Sequence, residues 1–169
     1  MTVQDLKDQY DYGYWANKKL LDVIAGLTPE QFTQTVAGSY GSVRSTMVHI
    51  LSAEAGWLDR CGGPARGPRL DPDDFPTVES LTQAWTTVEA QVREFLATLK
   101  DDDLMRNAEY STPRTEKISM PLGELMQHAA NHGVHHRGQV ALLLRLLGHA
   151  PGDVDLLFYY ADTRGVPAW

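Results

Sequence analysis

Residues 121–148 read "PLGELMQHAANHGVHHRGQVALLLRLLG" and hold four of the chain's six histidines, three of which, His132, His135 and His136, fall within five positions. On a helix each residue advances about 100°. Leu122, Leu125, Met126, Ala129, Val140, Leu143, Leu144 and Leu147 then share an arc of about 100°, wide enough for a buried stripe. The spacing predicts a helix from about Pro121 to Leu147, stopped by Gly148 with Pro151 beyond. His136 falls inside the arc and His132 at its edge, about 40° away. His128 lies further round, and His135 points towards solvent.

His132 and His136 therefore face the interior together, one turn apart. This H-x-x-x-H spacing is how a helix offers two imidazoles to one ion. Hydrogen-bonded core histidines are the competing reading. Two observations favour the ion. Neighbouring core imidazoles repel when protonated and need partners when neutral, and a cation answers both needs. Gly133 and Gly138 also sit inside the helix, where each costs about 1 kcal/mol relative to Ala, which asks for a compensating reason such as close packing.

Outward from this segment, three more amphipathic stretches occur, at about Val3 to Ala25, Val43 to Arg60 and Val78 to Lys100. Thr28 and Pro29 announce a short helical turn, and Ser42 and Thr77 are placed as caps. "CGGPARGPRLDPDDFP", 61–76, is too rich in breakers to be regular and reads as a crossover. Arg106 to Ser119 is polar and suits a short hairpin or an extended excursion, and "DVDLLFYYAD", 153–162, a last short helix. Four long helices, each with one stripe to bury, predict an all-α, antiparallel four-helix bundle with long crossover connections.

The 169 residues suit one domain spanning 1–169. With 43% hydrophobic and 22% charged residues the chain is globular in composition, and no apolar run nears the roughly 18 to 20 residues that span a bilayer. The segment 1–15 carries acids and amides where a signal peptide has a basic and then an apolar stretch. Cys61 is the single cysteine, which fits a reducing cytoplasm and excludes a cysteine-rich closed metal site. A net charge of −7 opposes binding to a phosphate backbone. Neither a phosphate-binding loop nor a G-x-S-x-G elbow occurs.

Two histidines leave a metal site incomplete. The candidate third ligand is His49, in "STMVHILSAEAGWLDR". On its own wheel it lies among Ser42, Ser45, Ala53 and Gly56, a face of small residues that suits either solvent or the close approach of another helix. Glu54 and His149 are less well placed. Glu54 reads first as an exposed or capping carboxylate. Tyr10, Tyr14, Trp15 and Trp57 read as core before pocket lining. Arg44 and Arg137 read as receivers of an acidic substrate or as surface charges.

Three segments together, "YDYGYWANKKLLDVI" (10–24), "HILSAEAGWLDR" (49–60) and "NHGVHHRGQV" (131–140), resemble the DinB family of DinB/YfiT-like metalloenzymes. The likeness runs from Asp5 to about Tyr160. It implies a four-helix bundle in which one His of the second long helix and the H-x-x-x-H pair of the last bind a divalent ion. Position by position, the ligands would be His49, His132 and His136. Asn131, Arg137 and Gln139 match as supporting structure.

The resemblance also implies a homodimer, a small-molecule substrate, and a reaction among thiol-dependent transfers and hydrolyses, with a low-molecular-weight thiol as one candidate. Zinc or nickel is the expected ion, one per chain, since imidazole serves both. A non-catalytic metal-binding or stress-related interaction protein is the alternative.

Overall fold

Thr2, Thr28, Ser42 and Thr77 each accept a hydrogen bond from a backbone N–H three residues on, and each opens a helix. These are α1 (Val3–Ile24), α2 (Pro29–Thr33), α3 (Val43–Arg60) and α4 (Val78–Thr98). After a hairpin of β1 (Asn107–Thr112) and β2 (Thr115–Pro121) come α5 (Leu122–Leu146) and α6 (Leu156–Arg164). The computed structural model describes residues 1–65, 67–112 and 115–167. The four long helices stand where the apolar spacing predicts them. At the end of α5, Gly148 takes φ +85°, and the N–H groups of Gly148 and His149 close on the carbonyls of Arg145 and Leu144.

Each long helix packs on two others. α1 touches α4 and α5, and α3 touches the same two. Contacts give the directions. Tyr10 meets Met126 and Asn17 meets Arg137, so α1 and α5 run the same way. His49 meets His132 while Trp57 meets His128, so α3 runs against α5. Arg93 of α4 pairs with Asp11 of α1.

α3 and α4 follow each other in one direction, and the segment 61–77 returns the chain between them. Its single turn of 3-10 helix, Pro72–Asp74, is pinned to the start of α3 by Arg44, whose guanidinium lies 2.6 Å from Asp73 Oδ1. The core they enclose is continuous, with Leu6, Leu20, Ile24, Met47, Leu51, Leu81, Leu122 and Met126 fully buried.

The expectation of an all-α, antiparallel bundle needs two corrections: the packed neighbours α1 and α5 run parallel, and β1 (107–112) and β2 (115–121) pair as a two-stranded antiparallel sheet. Alternation explains it. Ala108 pairs with Met120 and Tyr110 with Ile118. Ala108 is buried in the core, and Tyr110 and Met120 pack against it. On the other face Lys117 and Glu109 form an exposed ion pair. The 3-10 turn before the hairpin, Asp101–Met105, is tied in as well: Asp101 accepts from the Val3 N–H at 2.7 Å, capping α1 from 98 residues away.

Candidate metal centre

His49 projects from the middle of α3, and His132 and His136 from successive turns of α5. The small residues around His49 serve helix approach, because α3 and α5 are the most extensively packed pair of helices. Nε2 of His132 lies 3.1 Å from Nε2 of His49 and 3.1 Å from Nε2 of His136. One donor atom from each of the three falls within 4.8 Å of the others. His136 is buried and the other two are partly buried.

Metal–nitrogen bonds of about 2.0–2.1 Å place neighbouring donors about 3.3 Å apart around a tetrahedral ion and about 2.9 Å apart around an octahedral one. The contacts of 3.1 Å lie between these values. The three histidines are close enough to hold one ion.

The hydrogen bonds around them set the donor atoms. Gln139 Oε1 lies 2.6 Å from His136 Nδ1 and accepts its proton. That leaves the His136 Nε2 lone pair bare and pointing at His132. The same Oε1 accepts from Ser39 Oγ at 2.7 Å, and the Gln139 amide nitrogen donates to His135 Nε2 at 3.2 Å, which fixes the amide's orientation. His132 Nε2 faces two other ring nitrogens and carries at most one proton between them. Protons alone leave this cluster short, whereas a shared cation satisfies all three lone pairs.

The electrostatics agree. Burial pulls His49 and His132 down to about 4, with His136, His132 and Arg69 adding to it for His49, and His136, His128 and His135 for His132. Burial also lowers His136, against the Gln139 hydrogen bond. Three neutral imidazoles at neutral pH are three available ligands.

The remaining residues named from sequence divide. His128 and His135 are exposed neighbours: His128 meets the Trp57 ring edge-on at 4.8 Å, and His135 takes the Gln139 hydrogen bond. His149 lies 3.3 Å from Gln31 Oε1, away from the trio.

Glu54 is corrected. It is half-buried, accepts from Tyr14 Oη at 2.8 Å, and burial raises it to about 7. No histidine of the trio is among the groups that bias it. Arg137 is corrected too: it is buried, with its guanidinium 3.2 Å from Asn17 Oδ1 and over the Tyr12 ring. Gly133 makes room for it, since a Cβ there would stand 2.8 Å from Arg137 Nη1. Gly138 has no such reason, as a Cβ there meets nothing within 4 Å. Arg44 holds the crossover, Tyr10 and Tyr14 are core, and Trp15 donates to Asp162 of α6. Cys61 is buried and its thiol is pushed up to about 12, so it offers no thiolate.

Sequence reasoning missed Tyr40. Its ring stacks on His49 with centroids 3.8 Å apart and planes 19° apart, and meets His136 edge-on at 5.5 Å. The only local signal is that "GSYGS", 38–42, brackets an aromatic residue with turn formers.

The family model described as DinB family matches residues 1–165. Protein DinB of Bacillus subtilis (strain 168) is 22% identical over 162 residues, 92% of this chain and 93% of its own length. The uncharacterized protein YizA of the same organism is 20% identical over 148 residues, 88% of this chain and 91% of its own. Among solved structures, a DinB-like protein from Bacillus cereus ATCC 10987 superposes with a TM-score of 0.72 at 22% identity, covering 91% of this chain and 98% of that one. A conserved protein from Enterococcus faecalis does so at 0.60 and 16%, covering 86% and 97%. The match of the family model over nearly the whole length is decisive: the chain belongs to the DinB family.

Proposed function

We propose that this protein is a single-domain four-helix bundle that binds one divalent ion, zinc or nickel, through His49, His132 and His136, and uses it in thiol transfer or hydrolysis of a small molecule. The observation that carries this is the convergence of three ring nitrogens at 3.1 Å contacts, one of them held in its metal-binding tautomer by Gln139. Three neutral nitrogen ligands leave an ion's charge largely uncompensated, so that water or a thiol bound there loses its proton near neutral pH.

The protein's own residues do the rest. Gln139 orients His136, Tyr40 covers one face of His49, and Trp57 of α3 meets His128, one turn before His132 on α5. Glu54 is engaged with Tyr14 and supplies no base at the trio. Thiol transfer asks less of these surroundings than hydrolysis, because a metal-held thiol is already a nucleophile while water activation benefits from a nearby carboxylate.

The acidic balance argues against a nucleic-acid partner, and no helix among the described residues is long and apolar enough to cross a membrane. The buried, reduced Cys61 supports a cytoplasmic setting. For the homodimer, the outer face of α5 offers a ridge at four-residue spacing, Val134, Gly138, Leu142 and Leu146, with the three apolar side chains 43%, 56% and 60% exposed. Gly138 there allows close approach of a second copy.

The test is metal content per chain by elemental analysis, on protein purified without a His tag, beside the His132→Ala/His136→Ala variant. About one ion per chain, lost in the variant, is the expected result under a single three-histidine site. No uptake of zinc, nickel, manganese or iron refutes the reading.

A further inference from the structure

Between α2 and α3 the chain makes a tight excursion through Gly38, Ser39, Tyr40 and Gly41. Gly38 and Gly41 have φ of +103° and +87°, and Ser39, at +51°, is the one non-glycine residue with positive φ among those described. A left-handed serine costs on the order of 1 kcal/mol and persists only where its surroundings require it. The requirement is visible. The Ser39 hydroxyl donates to Gln139 Oε1, the same oxygen that receives the His136 Nδ1 proton. The Val36 N–H donates to the Gly41 carbonyl at 2.7 Å, closing the excursion. Held so, the next residue, Tyr40, lies flat on His49.

Two adjacent residues of one loop thus reach two histidines of the trio, which come from two helices. We propose that the 38–41 segment is a clasp on the metal centre: Ser39, through Gln139, fixes the tautomer and orientation of His136, and Tyr40 fixes the ring plane of His49. Both are positioning residues, for the Ser39 hydroxyl is engaged with Gln139 and Tyr40 presents its ring face to His49. The inference rests on the metal-binding reading of the three histidines.

The physical consequence is a slower escape of the ion. For His136 to let go by turning its ring, the Nδ1 bond to Gln139 must break, and Gln139 is itself held on its oxygen by Ser39 and on its nitrogen by His135. Rotation of His49 must likewise unstack Tyr40, whose outer face is solvent. Outer-shell partners of this kind change metal affinity by about 10–100-fold when removed.

The experiment uses the zinc-loaded full chain mixed with excess chelator, following zinc release in wild type, Ser39→Gly, Tyr40→Ala and Tyr40→Phe. Ser39→Gly is chosen because glycine adopts the left-handed φ without strain, so a loss cannot be laid to a damaged backbone. We expect Ser39→Gly to release zinc about tenfold faster or more, while its metal-free form denatures at a higher temperature than wild type. A merely structural role for Ser39 moves both readings the same way. Tyr40→Ala should also release zinc faster, and Tyr40→Phe, which keeps the stacked ring, should match wild type. If wild type holds zinc and both Ser39→Gly and Tyr40→Ala release it at the wild-type rate, the clasp is refuted and the metal reading stands. If wild type takes up no zinc or other divalent ion, the metal reading falls and the clasp with it.

Discussion

Glu54→Gln should make the protein more stable in a strictly pH-dependent way. Glu54 is half-buried on α3 and accepts from Tyr14 of α1, and its partial burial raises it from 4.5 to about 7 despite the opposing help of Tyr14 and Arg137 to its ionised form. A raised pKa means that the folded chain keeps a proton which the unfolded chain releases. The resulting stability is fully present below 4.5 and is lost as pH rises through about 7. Complete ionisation costs the folded state about 3 kcal/mol, trimmed to about 2 by the solvent the carboxyl still touches.

Glutamine cannot ionise, and its amide oxygen still accepts from Tyr14. The variant and wild type should therefore unfold alike near pH 4 and differ by about 2–3 kcal/mol above about pH 8. Urea unfolding at several pH values, with chelator present, measures this. Taking the difference between the two proteins removes the histidine titrations common to both. A difference that stays constant from pH 4 to pH 8, or a variant less stable at high pH, would show that Glu54 ionises freely and that its burial has been misread.

Gly133→Ala should destabilise the chain by about 1–2 kcal/mol, since overpacking against the buried Arg137 guanidinium outweighs the gain in helix propensity. Gly138→Ala, in dilute protein, should gain about 1 kcal/mol, its methyl meeting nothing; thermal denaturation of the pair decides, and equal shifts refute the packing account. Because His49 and His132 are depressed from 6.5 to about 4, their contribution to the metal-free fold is present above 6.5 and lost as pH falls through 4, so acid unfolding should be shallower in His49→Gln. Under the proposed homodimer, wild type should have the mass of two chains in light scattering and Leu142→Glu the mass of one without unfolding, whereas an unchanged mass removes the α5 ridge as the interface.

How far each of these features was legible in sequence follows from what a helical wheel can know. It places a side chain relative to its own helix, so α5's buried arc, the inward His132 and His136 and the outward His135 all emerge from the 100° rule. For His49 the wheel stops short, because small neighbours suit both water and a close helix, and only α5's approach decides between them. Glu54 and Arg137 mislead for the same reason in reverse. Their partners, Tyr14 and Asn17, stand on α1, 40 and 120 residues away in sequence. Tyr40 was out of reach altogether, as it belongs to no periodic element and is placed by a tether between Ser39 and Gln139 that spans 100 residues.

The packing of α1 and α3 on α4 and α5 has a bearing on synthesis. The first two long helices to leave the ribosome find most of their packing in the last two. Half the chain must wait with its apolar stripes uncovered, and closure over such long separations slows folding. His49 waits for a partner made 83 residues later. A nascent chain thus presents at most one histidine of the trio until α5 is made, so on the proposed metal-binding reading capture of an ion would belong to the finished protein.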